Sequence, residues 1–128
     1  MIGIVIKKLL SDDSTVDELV GNNIFPLVMS LDTTRPAIVY VVESMEPDYS
    51  KDGWAGDDCT FRVTSYADSY SVATEIAHAA RMALELKKGE YSGIGIERII
   101  CTGREEFYQF DADVYIIRYT FKTKIYKY

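Results

Sequence analysis

The side chains able to do chemistry are few, and their spacing does not bring them together. His78 is the only histidine of the chain. General-base or triad chemistry would need an orienting carboxylate and a nucleophile beside it. The neighbours that share its side at helical spacing are Glu75 and Arg81, which is the pattern of a solvated helix face. Asp57-Asp58 and Glu105-Glu106 could offer paired carboxylates to a metal ion or a proton transfer. Successive side chains of a strand point to opposite faces, so neither pair converges well on one ion. Cys59 and Cys101 are the two cysteines. Neither forms a CxxC pair, and with one histidine they cannot complete a zinc site. They read as reduced, partly buried thiols. A disulfide would require their strands to be neighbours with suitable geometry. Gly93-Ile94-Gly95 lacks the flanking spacing of a dinucleotide-binding loop. Ten tyrosines could stack on bases, but no RNP-type motif accompanies them. Tyrosine also suits strands and interfaces on its own account. The expectation is a protein that is not an enzyme, with no catalytic residue, no metal and no cofactor.

The stretch that must organise these side chains is Thr60 to Leu86. Phe61, Val63, Ser65 and Ala67 alternate with Thr60, Arg62, Thr64 and Tyr66, the period of a half-buried strand. Asp68 or Ser69 can cap a helix start. Val72, Ala73, Ile76, Ala77, Ala80, Ala83 and Leu84 then recur as an apolar helical stripe, and their small size lets the helix lie close on a sheet. Lys87 and Lys88 suit the helix C-terminus and Gly89 is the expected stop. The predicted core is Ile38, Tyr40, Phe61, Val63, Ile76, Ala80, Ala83, Ile117 and Tyr119.

The remaining segments fall around that unit. Residues 2 to 10 predict a short helix, with Ile2, Ile6, Leu9 and Leu10 on one face. Thr15 to Val20 predict another turn, capped by Ser14 and stopped by Gly21. Ile24 to Val28 is extended, and Pro26 confines it to an edge or an irregular piece. Asp32 to Pro36 reads as a loop, and Ala37 to Ser44 as a strand covered on both faces. Glu46 to Asp58 reads as a long acidic loop, expected to be poorly ordered in an isolated subunit. Trp54, the only tryptophan, sits near its tip, either folded back on the loop or anchoring a partner. Ile94 to Thr102 is a strand whose alternation slips near Glu97-Arg98, the mark of a bulge. Gly103 to Asp111 is a second polar loop, and Asp113 to Tyr126 a final long strand. The fold expected is α+β, in the order α-β-β-α-β-β. It has a mainly antiparallel four-stranded sheet packed by one long helix and a short N-terminal one.

A length of 128 residues with 48% hydrophobic residues suits one domain, 1–128, with a real core. The net charge of −6 disfavours specific gripping of a nucleic-acid backbone. The apolar run at residues 1–10 is too short to cross a bilayer. Its lysines follow rather than precede it, the wrong order for a signal peptide.

Several stretches in a fixed order resemble the tail-completion, or tail-terminator, family of long-tailed bacteriophages and prophages. These are Leu19-Val20-Gly21-Asn22-Asn23-Ile24-Phe25-Pro26, Arg35-Pro36-Ala37-Ile38-Val39-Tyr40, and Glu46-Pro47-Asp48-Tyr49-Ser50. Phe61 to Tyr70 running into the alanine-rich helix, and Phe107-Tyr108 through Asp113-Val114-Tyr115, complete the set. The resemblance implies a subunit of a homo-oligomeric ring, typically a hexamer. Such a ring caps the head-proximal end of the tail tube and joins it to the neck. The implied partners are the tail-tube protein and a neck or head-completion protein, with no membrane. DNA would pass through the ring, and an acidic wall would not hold it. The implied location is the head–tail junction of a virion whose parts are made in the bacterial cytoplasm. Tyr49 and Trp54 on one side, and Phe107 and Tyr108 on the other, are the expected interface residues. The competing readings are another head–tail connector or minor capsid component, and a small-ligand-binding regulatory α+β domain.

Overall fold

The computed structural model describes residues 1–29 and 34–128. The expected loop from Asp32 to Pro36 lies partly outside those residues. Among the described residues three helices, α1 (Ile2–Asp12), α2 (Ser14–Val20) and α3 (Tyr70–Leu84), accompany seven strands. The strands are β1 (Ile24–Pro26), β2 (Ala37–Ser50), β3 (Gly53–Ala67), β4 (Gly89–Tyr91), β5 (Ile94–Ile96), β6 (Ile100–Gln109) and β7 (Val114–Lys127). They form one sheet in the order β1-β2-β3-β7-β5-β4, with β6 also paired to β7.

This corrects the expected four-stranded, mainly antiparallel sheet with one long and one short helix. Half of the chain is strand, and the sheet is a curled, half-barrel sheet of seven strands with three helices. It is mixed, because β1 runs parallel to β2, pairing Ile24 with Ile38 and Pro26 with Tyr40. The expected extended piece at Ile24 to Val28 is β1 at the sheet edge, and the start of the expected Ile94 to Thr102 strand is β5. The unexpected strand β4 has three residues, too few for any periodicity to show, and β6 runs through what was expected to be a polar loop.

The centre is as the alternation predicts. Phe61 pairs with Phe121, Val63 with Tyr119 and Ser65 with Ile117, so these side chains share the helix-facing side. The Phe61 and Phe121 rings stack at 5.3 Å. The buried Ser65 hydroxyl lies 3.0 Å from the Ala73 carbonyl and 3.3 Å from that of Ile117. It ties the first turns of α3 to the sheet and leaves no orphaned polar group there. All nine predicted core residues are buried. Ser69 caps α3, accepting from the Val72 amide. The helix stops earlier than Gly89: Glu85 is the C-cap and Leu86 takes the left-handed conformation, φ 65°. α3 lies on β3 and β7, α1 on β1 and β2, and α2 touches both other helices. The cap of α2 is Asp13, whose carboxylate accepts from the Val16 amide, rather than Ser14.

The slip in Ile94 to Thr102 is a break between two strands. β5 and β6 both pair along the same edge of β7. Between them Glu97 keeps a backbone bond to Lys124 of β7, and Arg98 and Ile99 leave the ladder. Ile99 is buried, and its backbone bonds to Leu86 and Lys87 beyond α3. The β5–β7 stretch thereby seals the end of the core.

Candidate assembly surface

Both long polar segments expected as loops are strands, and this changes what their side chains can do. Glu46 to Asp58 is the outer half of the β2–β3 hairpin, closed at Lys51-Asp52. Asp57 and Asp58 still pair with Ile125 and Lys124 of β7, and the tip of the hairpin, with Tyr49 and Trp54, runs past the β7 ladder as a short arm. Alternating carboxylates hide such a strand from hydropathy. At Gly56 the backbone adopts φ 114°, and a Cβ there would meet Lys124 Cε at 2.7 Å and the Ile125 carbonyl at 2.9 Å. Glycine is required by both the turn of the chain and the close approach of β7.

Tyr49 and Trp54 face each other across the arm. Trp54 Nε1 donates to Asp57 Oδ1 at 2.9 Å. The indole packs against Tyr128 at 5.9 Å between centroids, and the Tyr128 hydroxyl donates to Asp57 as well. These bonds hold the Asp57 carboxyl below its ordinary range, the Tyr128 contact first and Trp54 second. Partial burial, with Asp57 nearby, pushes the Tyr128 phenol up to about 12. Lys124 Nζ lies 2.8 Å from Asp48 at the root of the arm, and that hydrogen bond lowers the Asp48 carboxyl. Trp54 is therefore folded back on its own hairpin, yet it keeps 44% of its surface exposed and Tyr49 keeps 69%. The expected disorder of this segment is replaced by a pinned arm.

Phe107 and Tyr108 sit on β6, opposite Ile116 and Tyr115. As neighbours in one strand they point to opposite faces of the sheet. Phe107 lies under the Arg118 guanidinium, 4.9 Å from ring centroid to Cζ. Tyr108 packs on Tyr115 at 4.9 Å and donates to Asp113 at 2.6 Å. The structure thus brings Tyr49 and Trp54 together and sets Phe107 and Tyr108 on two surfaces of one edge. Phe110, 84% exposed at the β6–β7 turn, and Tyr128 were missed. Each lies at an element's end, where no periodicity marks it.

The groups with other chemical uses are placed apart. His78 is exposed on α3, beside Glu75 and facing Glu18 and Asp13 across a groove. Asp57 bonds to Trp54 and Tyr128, whereas Asp58 lies toward Lys124 at 3.9 Å. Glu105 pairs with Arg118, and Glu106 with Tyr70 and Arg104. Members of each carboxylate pair serve opposite faces. Cys59 and Cys101 are free and lie on strands separated by β7, two strand spacings apart at about 9–10 Å, beyond disulfide reach. Among the described residues no group of three or more His, Cys, Asp or Glu could hold a metal ion. No helix among them is long and apolar enough to cross a membrane.

The fold is a curled sheet with a short hairpin arm and an edge strand, β6, and exposed aromatic side chains stand on both. The chain belongs to the tail completion protein gp17 family, whose pattern it matches over residues 5–126. It is accordingly a structural protein of phage tail completion, a component of virions. Comparison with curated protein sequences returns no match. Among solved structures, the fold is similar to a chain from the virion of a native gene transfer agent particle. The TM-score is 0.82 at 18% identity, over 96% of this chain and 92% of that one. At that identity the likeness establishes the fold.

Proposed function

We propose that this protein, acting as one domain over residues 1–128, closes the head-proximal end of a tail tube as a ring-forming subunit, typically six to a ring. The observation that carries the reading is the family match over nearly the whole chain. The similar fold in a gene transfer agent virion supports it, because that structure is itself part of a particle. The partners are further copies of the chain, the tail-tube protein below and a neck or head-completion protein above. The site is the head–tail junction, reached after synthesis in the host cytoplasm. DNA passes through the ring without specific recognition, in keeping with a net charge of −6. The role requires no reaction.

Ring closure needs a head-to-tail contact, in which two different patches of each subunit meet. Tyr49 and Trp54 on the arm, and Phe107 and Tyr108 on β6, are the proposed contact residues, with large aromatic surface available at each. The test is capping. Purified protein added while tail-tube subunits polymerise should stop growth at one end and shorten the tubes. Trp54→Ala and Tyr108→Ala should each weaken that effect. Tubes of unchanged length with no protein at their ends would exclude the reading.

A further inference from the structure

We propose that copies of this chain join edge to edge, the Phe110 turn of one seated in an apolar groove between α1 and β1 of the next. The proposal rests on the ring reading above and adds a second pair of surfaces to the arm and β6 residues named there. Phe110 stands at the β6–β7 turn, 84% exposed. It is held out by a rigid mount: its ring meets Tyr108 edge-on at 6.4 Å, and Tyr108 is fixed by Asp113 and Tyr115. On the turn's other side, the Ala112 carbonyl accepts from Arg35 at 3.4 Å. A large aromatic ring presented to water on an anchored turn is a preformed knob, which loses little freedom on docking.

The groove lies at the other edge of the molecule. Met1, Ile4, Pro26 and Tyr40 line a depression of about 600 Å³, with Lys7 and Lys8 on its rim. A second depression, of about 340 Å³, continues it past Leu27 and Val42 to Met45. Met1 is 68% and Ile4 55% exposed, so the helix α1 keeps an apolar strip uncovered on its outer side. Exposed apolar ground of this kind marks a contact site more often than a free surface.

Three observations select a second copy as the occupant. The knob is on the β6–β7 edge, and β1 closes the opposite edge, with β2, β3 and β7 between them. Contact between opposite edges is head-to-tail and repeats from copy to copy, as a ring demands. The charges also match. Asp111 and Asp113 flank the knob, whereas the groove carries Lys7 and Lys8. Lys7 Nζ donates to the Ile24 carbonyl at 2.7 Å. Lys8 is held only by an exposed pair with Asp12, which a neighbour's carboxylate can exchange into at little cost. Finally, among the described residues β6 pairs with β7 alone, so its outer backbone edge has no strand partner there beside the knob.

The experiment places the photo-crosslinking residue p-benzoylphenylalanine at position 110, where its shape follows phenylalanine, and irradiates protein assembled on tail tubes. Crosslinks should map to residues 1–11 or Pro26 of a second copy. In parallel, Phe110→Asp should weaken capping by at least ~10-fold, the effect of losing an interface anchor. Lys8→Glu should weaken it less, and Lys8→Glu combined with Asp111→Lys should recover it. Melting of each variant near the wild-type temperature shows that the fold is intact. If wild-type protein caps tubes but position 110 crosslinks elsewhere, or not at all, the edge contact is wrong and the ring reading stands. If wild-type protein never caps, the ring reading fails and takes this contact with it.

Discussion

Residue 76 shows how much of this structure rests on single positions. Ile76 is 1% exposed beneath α3, in a stripe otherwise made mainly of alanine, so it supplies most of the bulk where helix meets sheet. Ile76→Asp would bury a carboxylate with no partner and should cost about 4 kcal/mol or more. Thermal unfolding checks this, and a variant melting like wild type would show that another face carries the core. The cysteines differ just as sharply. Burial pushes the Cys59 thiol up to about 11, with Asp57 nearby adding to the shift. Cys101 is only half-buried. Alkylation at neutral pH should therefore label Cys101 first and reach Cys59 only on unfolding, as mass spectrometry of the folded protein can read. The spacing of apolar residues was enough to identify Ile76 and its neighbours as core. It could not reveal that Trp54 turns back onto Tyr128, because those two residues are far apart in sequence and meet only through the pairing of β3 with β7.

At the scale of elements, the alternation that predicted β3 and β7 breaks down where strands are polar on both faces. The arm and β6 are mostly exposed, so hydropathy, which reports burial, is silent about them. Their hydrogen-bond ladders hold them extended nonetheless. Length sets the other limit: three-residue strands such as β5 and β4 are held only by the edges beside them, β5 on β7 and β4 on β5. The phase slip near Glu97 was a legible trace of that arrangement, though it marks a strand break. The arm also gives a pH prediction. Asp48 and Asp57 both have folded-state pKa values lowered from 3.8. The support they give the folded arm is therefore complete above the unfolded value and is lost as pH falls through the folded ones. Trp54 fluorescence should hold steady from pH 7 to about pH 5 and change below about pH 4, before the global unfolding transition. Asp57→Asn should alter the emission at neutral pH. A signal flat to the point of global unfolding would show that Asp57 does not pin the arm.

For the whole molecule, the features that matter are its two unlike edges and its projecting arm. A ligand-binding domain would show an enclosed apolar cavity with convergent polar groups. The apolar grooves at α1 and β1 instead lie open along the outside of one edge, and the aromatic residues crowd the arm and the other edge. That distribution suits the proposed contact between like subunits. The family was legible in the order of short stretches along the chain. The surfaces were not, since which side chains share a face depends on register. The most direct measurement of the central claim is a cryo-electron reconstruction of assembled particles carrying a C-terminally labelled copy of this chain. The account predicts a closed ring of label at the head-proximal end of the tail tube, between tube and neck. Label along the tube, at its distal tip, inside the head shell or absent from the particle would contradict it.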